Sequence, residues 1–167
     1  MAAPPKFLDY VLRYYAVEGV SKACLALQET YNLDVDLVLF AIWLGAVRQI
    51  VLSDENLTSA DALVTTWRDQ IIRPLRVIRR RLKATGYPFT HTDIEKLYRD
   101  VLGAEIFGEK IEIAVLEAHS ANWPDHANID FRDAISANLA KVIGYFGGTP
   151  EDAGPQIETL VNATQSI

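Results

Sequence analysis

Between Asp36 and Arg48 the chain reads Leu37-Val-Leu-Phe-Ala-Ile-Trp-Leu-Gly-Ala-Val47, eleven apolar residues without a break. The run is too short to span a bilayer, which takes about 20 such residues. With its flanks it is also too long for a strand. A helix that is apolar all round belongs in the middle of a bundle. Asp34 stands ahead of it as an N-cap, and the helix is expected to continue to about Leu52. This segment sets the fold class as all-α.

The segments on either side repeat the helical period. Phe7, Val11 and Tyr14 share one face of a helix expected over Lys6 to Tyr15. Ala23, Leu27 and Tyr31 do the same from Val17 to Tyr31, with Asn32 suited to the left-handed position that ends a helix. Thr58 with Asp61 reads as a capping pair. Behind it Val64, Trp67, Ile71, Leu75, Ile78 and Leu82 form a stripe expected to be buried, with a kink at Pro74. Thr92 with Glu95 opens a helix at Asp93, and Gly103 and Gly108 leave open whether it continues to His119 or breaks. Asp130 caps a helix carrying Phe131, Ile135, Leu139, Val142 and Phe146, which Gly147-Gly148 ends. Thr149-Pro150 opens a last, loosely packed helix over residues 150–167. The expectation is a single-domain bundle of about six to seven helices around one apolar central helix, with residues 1–5 as a disordered start.

Composition narrows the function classes. Half of the 167 residues are hydrophobic and 23% are charged, so general disorder is excluded. The lone Cys24 cannot form an intrachain bridge and is read as a buried structural residue of a reducing, cytoplasmic protein. No signal peptide is legible at the start, and no segment is fit for membrane insertion.

Templates for catalysis and cofactors fail. There is no Cys-x-x-Cys, no His-Glu-x-x-His, no P-loop and no Gly-x-Ser-x-Gly, so no cofactor or metal is expected. Glu117, His119, Asp125, His126 and Asp130 lie near one another in sequence, but Glu117 and His119 diverge by about 200° on a helix and read as a polar loop rim. The acids from Asp93 to Glu117 have no histidine at the di-metal spacing and read as a solvated helix face.

Charge is where the chain departs from the ordinary. Net charge is −6, yet residues 68–83 carry seven basic residues and one acid, a local +6 against −12 for the remainder. Arg73, Arg76, Arg80 and Lys83, with Arg79 beside them, fall on one face of a helix, opposite Leu75, Ile78 and Leu82. Three uses are open to such a ridge: pairing with the chain's own acidic helix, docking of an acidic protein or anionic ligand, or nucleic-acid binding. The last is disfavoured by the surrounding −12 and by the absence of interleaved aromatics. The leading reading is a non-enzymatic interaction domain acting through this ridge or the surface around Trp123. Its alternative is a small enzyme or ligand carrier with a pocket between helices, where Arg68 and Asp69 beside Trp67 orient each other and Arg73 holds an anionic group. Oligomeric state is not legible.

The blocks Ala23–Gln28, Leu33–Gly45 and Trp67–Lys83 resemble DUF2390, a family of short proteobacterial proteins of unknown function. The most specific element is Trp67-Arg-Asp…Arg73-Pro-Leu-Arg…Arg80-Arg-Leu-Lys83, and the likeness covers about the first 120 residues. The resemblance implies an all-helical protein of the bacterial cytoplasm. It implies no activity, cofactor or catalytic residue.

Overall fold

The apolar run forms the helix α3 (Val35–Arg48), and every residue from Leu37 to Gly45 is buried. Its start is held as expected, with the Asp34 carboxylate accepting from the Asp36 N–H at 2.9 Å. Its end comes four residues before Leu52, because Gln49 turns left-handed at φ 51° and breaks the ladder. The computed structural model describes residues 5–84, 86–124 and 128–167.

Around α3 lie α1 (Phe7–Tyr14), α2 (Val20–Tyr31), α4 (Asp54–Trp67), α5 (Arg73–Lys83), α6 (His91–Ser120), α7 (Phe131–Tyr145) and α8 (Gly154–Ala163). Because α4 runs into α5 through one π turn, the described residues form seven helical rods and no strand. None of these helices is long and apolar enough to cross a membrane. Phe7 of α1 stacks on Trp43 at 5.2 Å and touches Phe40 at 5.5 Å, fixing α1 over α3. Asn32 adopts the left-handed φ of 51° expected at the end of α2, and Cys24 is fully buried.

The closest packing is that of α7 on α3. A Cβ on Gly45 would lie 2.8 Å from the Ile135 backbone nitrogen, so glycine is what lets the two backbones approach. Asn138 then ties α7 to the chain leaving α3. It donates to the Ala41 and Ile50 carbonyls at 3.0 and 2.8 Å and accepts from the Leu52 N–H at 2.7 Å. A buried amide with these partners satisfies backbone groups that the end of α3 leaves open.

Local details correct some expectations and decide one left open. The fourth helix starts at Asp54, ahead of Thr58: Ser53 caps it, and the Asn56 side chain answers back as Glu or Gln does in the usual capping box. Pro74 does not interrupt the helical run. A π turn at Arg68–Ile72 precedes it, with Arg73 N–H reaching back to Arg68 O, so Pro74 falls in the first turn of α5, where its missing donor costs nothing. The glycines at 103 and 108 do not break α6, a 30-residue helix entered from Thr90. The last helix, α8, buries Leu160, Val161 and Ala163, and the Tyr14 hydroxyl donates to Leu160 O at 2.6 Å. The disordered start expected for 1–5 falls, for residues 1–4, outside the described residues; the Pro5 carbonyl accepts from the Trp43 indole at 3.1 Å.

The π turn has a wider consequence. One extra residue in a turn rotates everything after it by about 100°. The expected stripe therefore breaks after Val64: Arg68 and Ile72 are buried, Ile71 and Ile78 are exposed, and Leu75 and Leu82 are half-buried. No described residue between Ile72 and Glu105 is buried. Helix α5 and the first half of α6 thus form a two-helix arm standing off the body.

Candidate functional site

The rotated α5 turns arginines toward α6. Arg76 donates through Nε to Glu105 and through Nη2 to Glu109, both at 2.9 Å. Arg79 grips Glu105 with Nε at 2.5 Å and Nη2 at 3.2 Å. Burial works to raise the Glu105 carboxyl, but the bonds from Arg79 and Arg76 outweigh it and hold it below the usual range. Burial raises Glu109, and Arg76 offsets this only in part. Asp93, Glu95 and Asp100 are solvated as expected, but Glu105 and Glu112 are buried, at 4% and 1% exposure, so the middle of the acidic face is turned inward. The spacing 105, 109, 112, shared with buried Gly108 and Leu116, was the legible signal of that.

Arg68 lies deeper, at the π turn. Its Nη1 donates to Asp34 and Asp61, each at 2.8 Å, and Nη2 donates to Thr65 at 3.0 Å. The Tyr145 hydroxyl donates to the other oxygen of Asp61 at 2.9 Å. Asp69 sits 3.6 Å from Arg68 Nε and pairs with Arg73 at 2.9 Å. Trp67 does not face a pocket: its indole donates to Gly108 O at 3.0 Å, and Gly108 is close-packed on Ile72. Of the residues singled out in the sequence, Arg68, Asp69, Arg73, Arg76 and Arg79 are therefore engaged within the protein. Arg80 and Lys83, with Arg81, are exposed and have no acidic partner among the described residues.

Sequence reasoning missed the acids beneath this layer. Asp34 and Asp36, at the buried start of α3, and Glu112 of α6 bring carboxylate oxygens within 4.8 Å of one another. Burial first, then Asp34, pushes the Glu112 carboxyl up to about 11. Burial, Asp34 and Glu109 also raise Asp36, against an opposing pull from Arg76. Asp34 was legible only as a cap, because its second role needs α4 and α6 beside it.

Above these acids runs a groove of about 980 Å³ between α1, α2, the start of α3 and the α5–α6 arm. Its floor is charged, with Asp34, Asp36, Arg68 and Arg76. Its rim carries Leu12, Leu25, Val77 and Ile106, exposed by 43–58%, together with Arg73 and Arg80.

The polar letters around Trp123 form a separate, structural cluster. His119 shares a hydrogen bond of 3.0 Å with Ser59 and meets Trp123 edge-on, while Arg48 donates to the Ser120 and Trp123 carbonyls. Asp125 and His126 lie outside the described residues.

No curated protein and no solved structure matches the chain. A family model does, over residues 6–116, a span that holds the groove, the arm and every charged residue of the network. The chain belongs to DUF2390, a family of proteins of unknown function.

Proposed function

We propose that this protein is a non-enzymatic helical interaction domain, and that its groove receives an acidic, amphipathic segment of a partner protein. One observation supports this most: the four exposed apolar rim residues and the unengaged Arg80 share one groove, with Arg81 and Lys83 beside it on the same helix end. Isolated exposed leucines are ordinary, whereas several lining one concavity mark a recognition surface. Arg80, Arg81 and Lys83 stand exposed at the end of α5 without internal acids, so an incoming carboxylate meets positive charge that the protein does not itself neutralise. An amphipathic helix fits both demands, its apolar face in the groove and its acids toward the arm.

The test is fluorescence anisotropy with a labelled amphipathic helical peptide of leucine and glutamate, set against its leucine–lysine counterpart. The acidic peptide should bind saturably and lose at least about tenfold in affinity with Arg80→Glu/Lys83→Glu, and again with Leu12→Asp. Equal binding of both peptides, or binding untouched by these changes, removes the proposal. A second reading, a carrier of a small anionic amphiphile, draws on the groove's volume, which matches the upper end of small-ligand pockets. A saturable thermal shift with decanoate or dodecyl phosphate, absent with the peptide, would favour it.

A further inference from the structure

The floor of the groove holds a charge excess that the protein's own cations do not cancel. Asp34, Asp36, Asp61 and Glu112 are all largely buried around the single guanidinium of Arg68. Ionised together they would leave three negative charges in excess, beyond what the positive end of α3 can offset. Arg76 faces the same region but is engaged by Glu105 and Glu109.

Glu112 makes the imbalance specific. It is 1% exposed, and neither carboxylate oxygen receives a hydrogen bond from any donor among the described residues. The carboxylates beside it, Asp34 and Asp36, are acceptors when ionised, and the nearby Arg68 is committed to Asp34 and Asp61. A buried carboxylate in that position needs either a proton of its own or a cation shared with its neighbours.

We infer that Asp34, Asp36 and Glu112 form a binding site for one hard divalent cation, of the Ca²⁺, Mn²⁺ or Mg²⁺ class. The donors are all carboxylate oxygens, which suits these ions and not zinc or copper. Mutual separations of up to 4.8 Å are what opposite ligands span around an ion with bonds of about 2.4 Å. Asp34 and Asp36 line the groove while Glu112 closes the site from behind, so an ion enters from the groove and keeps waters on that side. Arg68 is a positioning residue here: it orients Asp34 through one oxygen, while the other accepts from the Asp36 N–H. The site uses none of the exposed cations or rim residues on which the docking proposal rests, so either can fail alone.

The experiment is Mn²⁺ titration of the full chain, followed by calorimetry and by electron paramagnetic resonance of free Mn²⁺, with Ca²⁺ and Mg²⁺ as competitors. One saturable site per chain is expected. Glu112→Gln, the isostere of the protonated acid, should lower the affinity by more than the roughly 10–100-fold typical of outer-sphere changes. Asp36→Asn should do the same, while Asp100→Asn on the exposed face of α6 should leave it unchanged. Paramagnetic broadening in the wild-type chain locates the ion without substitution: amides of residues 34–36 and 111–113 should vanish first. The inference is overturned if the wild type shows no saturable site. It is equally overturned if Glu112→Gln binds as the wild type does, or if broadening falls on exposed acids instead; Glu112 then simply carries a proton.

Discussion

The body around α3 and the arm made by α5 and the first half of α6 are both helical, yet they are held by different forces. In the body, Phe7, Phe40, Trp43 and Leu44 are at most 4% exposed, and stability comes from apolar area removed from water. In the arm no described residue from Arg73 to Ala104 is buried, and α5 is tied to α6 through Arg76 and Arg79 on Glu105 and Glu109. Hydrophobic burial is non-directional and tolerates exchange of shape. Ion pairs at a half-buried seam are directional, sensitive to salt and pH, and weaker in sum. A body of the first kind makes a scaffold. An arm of the second kind should loosen at high salt while the scaffold stays folded.

That contrast can be broken at several points. The largest effect belongs to the body: Phe40→Ala should cost about 3–5 kcal/mol of global stability in denaturant unfolding. A loss below about 1 kcal/mol would mean that the α1–α3 aromatic cluster is not the centre of the fold.

The second test sits where body and arm meet. In chelator, the folded chain holds a proton on Glu112 between its ordinary pKa of 4.5 and about 11, a range in which the unfolded chain has released it. The folded state binds more protons there, so metal-free stability should fall as pH rises from about 5 to 9. Asp36 and Glu109, also raised, add to the same slope. The groups facing Glu112 are Asp34, Asp36 and Arg68, and Glu112→Gln should flatten the curve. Glu105, lowered by its arginines, acts oppositely, and its contribution is lost only as pH falls below about 4.5. A slope unchanged in Glu112→Gln would show that Glu112 is ionised in the folded protein.

Third, Glu105→Gln should loosen the arm and leave the body intact. About 1–3 kcal/mol of local protection should be lost, read as faster amide exchange confined to residues 73–104. Uniform loss across α3 and α7 would merge the two regions into one cooperative unit. Smallest of all, Val77→Ser and Phe107→Ser, at 47% and 65% exposure, should change stability by no more than about 0.5 kcal/mol. A larger cost would show the arm's surface to be covered in solution.

The body was far more legible in the sequence than the arm. Asp34, Asn32 and Asp130 do in the structure what their letters promise, because a cap is a contract between residues two to four apart. Ser53 with Asn56 escaped notice only because asparagine stood in for the customary glutamate. The resemblance to DUF2390 also held, over residues 6–116. In the arm, the arginine face and the apolar stripe were both correctly seen as periodic. Their direction was not, because one π turn at Arg68–Ile72 resets the phase of all that follows. Nothing local to those five residues announces it except Pro74 just beyond.

What the sequence determined by itself, then, is whatever depends on neighbours in the chain. It specified an all-helical protein, an apolar helix at its centre, the caps at Asn32, Asp34 and Asp130, and a segment charged at +6 in an acidic chain. Tertiary structure decided where that charge goes. Four of its cations close on acids inside the protein, three are left at the end of the arm, and three carboxylates from α6 and the entry to α3 meet under Arg68. The reason is physical: period and propensity act over a few residues. The meeting of Asp34, Arg68 and Glu112 joins positions 34 and 44 residues apart, and it exists only once packing has brought three helices together.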